Sequence, residues 1–157
     1  MKNKLFIICP FAQLEPLIIN NFGHNSYFLT MPGGLAPSTD FDFLSSINEF
    51  LKTYGISVIY LVSDTGCRFV STIVNHEQPF GLNVEQALQE IYIDHYTKDF
   101  KDKDPQLKKQ KLAELHIKKQ INDLKESVVI GPVIVQNNIK VNGLLTSKIN
   151  NLTKEIN

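Results

Sequence analysis

Residues 56–67 read ISVIYLVSDTGC. The run 56–62 is apolar and β-branched almost throughout, as in a strand covered on both faces and therefore belonging to a parallel sheet. Directly after it come Asp64, a small turn, Cys67 and Arg68, the only arginine in the chain. An acid, a thiol and a guanidinium at the carboxyl end of a buried strand raise the question of a binding site there.

Upstream, residues 41–55 read FDFLSSINEFLKTYG. Phe43, Ile47, Phe50 and Leu51 recur at helical spacing, Ser38, Thr39 and Asp40 offer N-caps, and Gly55 offers a stop. Before that helix lie two shorter strands, 5–9 (LFIIC, stopped by Pro10) and 26–30 (SYFLT). Between them Leu14, Leu17 and Ile18 carry a weak helical signal. Gly33 and Gly34, in MPGGLAPST, permit a sharp turn after the second strand. Downstream, 68–81 has no clear period. Residues 83–100 then carry a helical stripe of Val84, Leu88, Ile91 and Tyr92. After a polar break at 101–105, a long helix over 106–126 carries Leu112, Leu115, Ile121 and Leu124. The last third suggests a strand near 128–130, a turn at Gly131 and Pro132, and a short strand pair joined near QNN (136–138). Strands separated by helices predict an α/β domain spanning 1–157, with a mostly parallel sheet flanked by helices.

The 157 residues carry 16 Lys+Arg against 16 Asp+Glu, so net charge is zero. The distribution is uneven: residues 1–97 hold four basic against nine acidic side chains, residues 98–157 twelve against seven. The basic half is almost all lysine, interleaved with acids and without aromatic stacking partners. That pattern reads as a solvated helix face and argues against a nucleic-acid partner. No run of about twenty apolar residues is present to span a bilayer, so no membrane partner is expected. The apolar start reads as a first strand: Gln13 and Glu15 interrupt it, and no small-residue cleavage site follows. Two cysteines without a secretory signal point to reduced thiols in a cytoplasm.

In open α/β sheets, ligands gather beyond the carboxyl ends of the strands. Cys9 ends the first strand, Gly33 and Gly34 follow the second, and Asp64 and Cys67 follow the third. Three strand ends thereby converge two thiols, a carboxylate and a glycine turn on one crevice.

At these residues the chain resembles the β-class carbonic anhydrases, α/β zinc enzymes that hydrate carbon dioxide and assemble as dimers or higher oligomers. The likeness rests on Cys9 at the end of the first strand, on YFLTMPGGL (27–35), on DTGC (64–67) where the family has His-x-x-Cys, and on the C-terminal block from residue 117 onward. It implies a three-layer β-carbonic-anhydrase-like fold, a homodimer, and zinc held by Cys9, Asp64 and Cys67, with His76 as a substitute fourth ligand. It also implies a loss. Asp64 stands at the histidine position, and three anions around one dication weaken its acidity toward bound water. The family's Cys-x-Asp-x-Arg dyad is replaced in CPFAQ by Phe11 and Gln13. Arg68 stands where a glycine is usual and crowds the pocket, which Phe11, Gln13, Gly33, Gly34 and Arg68 are expected to line.

The reading is therefore a carbonic-anhydrase-like pseudoenzyme with no assigned catalytic residue and an unidentified small-molecule ligand. Two alternatives stay open: a zinc lyase with Cys-Asp-Cys ligation, and a thiol redox protein using Cys67 beside Arg68. Plainer readings stand beside each residue. Buried cysteines pack as small hydrophobes, and Asp64 suits an Asx turn or helix cap. His24 suits a surface loop, and His116, among lysines, suits solvent. PGGL lacks the spacing of a nucleotide-binding loop.

Overall fold

The computed structural model describes residues 2–36 and 39–157. Five strands, β1 (Asn3–Ile8), β2 (Ser26–Thr30), β3 (Ile56–Asp64), β4 (Lys140–Ser147) and β5 (Leu152–Ile156), form one sheet in the order β2-β1-β3-β4-β5. The first four run parallel, and β5 returns antiparallel to β4. Leu5 lies opposite Tyr27 on one side and Ile59 on the other, and Ile59 lies opposite Val141.

The two-residue period of the strands sorts side chains between two cores. Leu5 and Ile7 of β1 and Cys9 just after it, with Ile59 and Leu61 of β3, face the larger one. Covering it are α2 (Phe41–Thr53), α3 (Arg68–Val74), α4 (Asn83–Asp94), α5 (Pro105–Glu126) and α6 (Ile130–Gln136). Phe6, Ile8, Val58, Tyr60 and Val62 face the other way, covered by α1 (Glu15–Phe22) through Leu14, Leu17 and Ile18. This is the expected three-layer arrangement. No helix among the described residues is long and apolar enough to cross a membrane.

Local chemistry fixes the helix starts. The Asp40 carboxylate accepts the Phe43 N–H at 3.0 Å, and that of Asp104 accepts the N–H groups of Gln106 and Leu107. Each satisfies donors that the first turn leaves unpaired. Ser38, also a cap candidate, lies outside the described residues. The buried stripe of α2 is Leu44, Ile47 and Leu51, with Phe43 and Phe50 half-buried beside it.

Three assignments differ from the sequence reading. Residues 68–74, which carried no clear period, form α3. The helix over 83–100 divides into α4 and one π-helical turn at Tyr96–Phe100 that buries Phe100. Residues 130–136, read as strand ends and a turn, form α6, and the strand pair lies later, at β4 and β5.

Candidate functional site

Cys9 follows β1, and Cys67 caps α3 just beyond β3. Because β1 and β3 are paired neighbours, their ends sit side by side and bring the two thiols to one crevice. Both are buried, 6% exposed each, yet both line a cavity of about 380 Å³ that opens to solvent. Asp64, Arg68, Phe11 and Lys148 complete the part of its wall that carries charge and aromatic surface.

Gly33 and Gly34, expected to line the pocket, do not line this cavity; both are buried, and their turn meets it only through Cys9. In the tight turn Pro32–Gly34 both glycines have positive φ, 65° and 66°. A Cβ on Gly34 would meet the Val62 carbonyl at 2.7 Å, so only glycine lets the turn lie this close to β3. The payoff is an N–H of Gly33 donated to Cys9 Sγ at 3.2 Å. The turn is backed by His116 of α5, which is 2% exposed and lies against the Gly33 backbone. Gln120 Nε2 lies 3.1 Å from His116 Nε2, and Gln120 Oε1 accepts the Ala36 N–H at 3.0 Å. A neutral imidazole protonated on Nδ1 satisfies both of its contacts. Burial pushes the His116 pKa down to about 4. The expectation of a solvated His116 is thus overturned: at i, i+4 from Leu112 and Gln120 it belongs to the buried stripe.

The thiol pair is electrostatically unequal. The hydrogen bond from Cys67, aided by N–H groups of Gly33, Phe11 and Ala12, draws the Cys9 pKa down to about 6 against its burial. The same bond and burial push Cys67 up. The pair therefore gives up one proton more readily than two.

Asp64 is 7% exposed and fully engaged in the fold. Its Oδ1 accepts the Thr146 hydroxyl at 2.7 Å and the Lys148 N–H at 3.0 Å; its Oδ2 accepts the Gly66 N–H at 2.8 Å. It ties the end of β3 to the end of β4. Among the described residues, no group of three or more His, Cys, Asp or Glu side chains is disposed to hold a metal ion. Catalytic and structural zinc sites take three or four protein donors. Two thiols with a carboxylate already holding three donors do not fit that requirement. Among the described residues, the buried side-chain atoms left without a partner, Asn48 Oδ1 and Tyr92 OH, line no part of the cavity.

Arg68 stands at the mouth between two exposed rings, its guanidinium carbon 5.0 Å from the Phe11 centroid and 5.1 Å from that of Phe80. No acidic side chain forms an ion pair with it among the described residues. Lys148 Nζ donates to the Ala12 carbonyl at 3.2 Å. Two further candidates, Gln13 of the expected pocket and His76 of the expected ligand set, are elsewhere. Gln13 lines a neighbouring groove with Pro16, Leu17 and Asn151. His76 is exposed beyond the end of α3, its ring against Tyr92. Lys148, Thr146 and Phe80 were missed, because nothing local in the sequence ties the far end of β4, or a loop residue twelve positions on, to the crevice.

No family model matches the sequence, and no curated protein does. The fold is that of solved β-carbonic anhydrases. The CafA enzyme of Aspergillus fumigatus superposes with a TM-score of 0.83 at 15% identity, over 99% of this chain and 76% of that one. A tetrameric enzyme of Sordaria macrospora gives 0.83 at 15% identity, over 99% and 80%. The Coccomyxa enzyme, solved with acetazolamide, gives 0.79 at 16% identity, over 99% and 72%.

Proposed function

We propose that this chain, which has the β-carbonic-anhydrase fold, does not hydrate carbon dioxide and uses the crevice to bind a small anionic ligand. The observation that carries this reading is the commitment of Asp64. At the position where the resemblance places an imidazole ligand, the carboxylate is spent on Thr146, Lys148 and Gly66. The uncharged Phe11 at the acid position of the dyad agrees with it. Its ring supports Arg68, and the mouth carries Arg68 and Lys148, while the carboxylate of Asp64 and the sulfur of Cys9, its pKa drawn down, are buried in the wall. A cation held by aromatic rings and lacking a carboxylate partner is prepared for an anion from solution.

Stopped-flow hydration assays on purified protein are expected to return the buffer rate, and metal analysis to return no stoichiometric zinc. Bicarbonate or phosphate is expected to raise the melting temperature of the native chain and not that of Arg68→Ala. Hydration well above buffer, lost in Cys9→Ser, would overturn the proposal.

For assembly, the reading is a homodimer in a reducing cytoplasm. Both edges of the sheet, β2 and β5, are open to pairing, and Val128, Val135, Ile149 and Leu152 are exposed apolar side chains in the C-terminal part. Light scattering on the eluting protein measures the state directly; a monomer at all concentrations refutes it.

A further inference from the structure

We infer that the anion taken by the crevice is an organic carboxylate with a flat apolar body of about the size of benzoate. Arg68 holds its carboxylate at the mouth, and Phe11 and Ala12 receive its body. The inference deepens the proposed function and rests on it, since it names the class of anion that the mouth selects.

Arg68 presents its charge in a built setting. Its guanidinium carbon lies over two rings, 5.0 Å from the Phe11 centroid and 5.1 Å from that of Phe80. Among the described residues its side chain has no hydrogen-bond or ion-pair partner. Its planar fork of N–H donors is therefore left for a ligand, and that fork matches the two oxygens of a carboxylate.

The two rings are fixed in place. Both meet the fully buried ring of Phe69 edge to face, Phe11 at 5.8 Å and Phe80 at 5.9 Å between centroids. Phe80 is also held through its backbone: the buried Glu85 carboxylate accepts its N–H at 2.8 Å and that of Leu82 at 2.9 Å. Phe11 and Phe80 nevertheless remain 56% and 58% exposed. Of the two, Phe11 lines the cavity, beside Ala12; Phe80 backs Arg68 from the other side. Rigid apolar surface kept in water next to an unpaired cation is surface that an amphipathic anion covers with a gain in free energy.

Volume and charge set the size and direction of the ligand. A cavity of about 380 Å³ lies within the roughly 300–1,000 Å³ of sites for organic ligands. Bicarbonate or phosphate would leave most of it to water. Asp64 lies in the wall, so a carboxylate pointing inward meets a like charge, whereas one at the mouth meets Arg68 and Lys148.

The test is an NMR titration of the full chain, followed by amide shifts, with acetate, benzoate and the uncharged benzamide. Benzoate is expected to bind at least about tenfold more tightly than acetate, through the apolar area of its ring, and at least about tenfold more tightly than benzamide. Phe11→Ala is expected to bring the benzoate-to-acetate ratio to within about threefold of one. Phe80→Ala removes support from the cation alone, so it is expected to weaken both anions by the same factor and preserve the ratio. Thermal melting establishes that both variants are folded. A wild-type ratio near one, or a preference that survives Phe11→Ala, overturns this inference; the proposed function stands in that case if Arg68→Ala abolishes binding of both anions. A wild-type chain that binds none of acetate, benzoate, bicarbonate and phosphate overturns the proposed function, and this inference with it.

Discussion

His116 is a base placed where a proton is costly. Its folded pKa of about 4 lies below the ordinary 6.5, so as pH falls the unfolded chain takes up the proton first. Its contribution to stability is therefore intact above about pH 6.5 and is lost progressively as pH falls toward 4. The loss by pH 4.5 amounts to about 2–3 kcal/mol. Urea unfolding of the wild type at pH 7 and pH 4.5 measures the total, to which carboxylates also contribute. The same pair of measurements on His116→Gln isolates the imidazole. The variant is expected to be less stable at pH 7, because the Gly33 contact is weakened, but to lose about 2–3 kcal/mol less on acidification. An equal loss in both proteins would mean that the imidazole is not the group titrating. The same residue illustrates what sequence conveys at this scale. Lys118 and Lys119 on either side of the stripe suggested solvent, but Leu112, Ala113, Ile117, Gln120, Ile121 and Leu124 share its face and are buried. The helical period of α5 contained the answer, and the charge pattern obscured it. Of the bonds of Asp64, the Asx-type one to Gly66 was legible; those to Thr146 and Lys148 carried no such signal, because these partners lie 82 and 84 residues away.

At the scale of elements, β1, β2, β3, α2, α4 and α5 were legible because each is long or apolar enough to display its period. The convergence of the thiols was legible too, as a consequence of strand ends that lie side by side. Helices α3 and α6 were not, for a common reason: seven residues make about two turns, and valine and isoleucine in both favour strands by local propensity. Tertiary packing decides instead. α6 buries Ile130, Val133 and Ile134 in the larger core, and Asn48 of α2 donates to the Val129 carbonyl at 3.1 Å just ahead of it. Gly131, read as part of a turn, is required for a different reason: a Cβ there would lie 2.5 Å from the Lys125 carbonyl oxygen at the end of α5. Helix propensity alone predicts that Gly131→Ala stabilises by about 0.5–1 kcal/mol. The close approach of two backbones predicts the opposite, a loss of roughly 1–3 kcal/mol from overpacking. Equilibrium urea unfolding decides by sign. A gain would mean that α5 and α6 separate readily and that their junction is not a fixed corner of the fold.

The whole molecule is asymmetric across its sheet. One face is covered by five helices and carries the thiols, the glycine turn and His116; the other is covered by α1 and closed by an aromatic cluster. In that cluster Phe6 is fully buried, stacked on Tyr60 at 4.8 Å between centroids and edge-on to Phe22 at 5.2 Å. Tyr60 in turn donates to Glu155 of β5 at 2.9 Å, so the small core also ties the sheet's centre to its last strand. Phe6 and Cys9 are three positions apart on one chain and so point to opposite faces. Stability and site chemistry should therefore separate. Phe6→Ala removes a filled volume and its ring contacts, and is expected to cost about 3–5 kcal/mol in urea unfolding. Under native conditions the reaction of Cys9 with a thiol reagent should stay within about twofold of wild type, because its environment is built from the opposite face and from strand ends. If the thiol rate instead rises along with the loss of stability, Cys9 is reached through opening of the whole sheet, and the cavity above it is not the route by which reagents arrive.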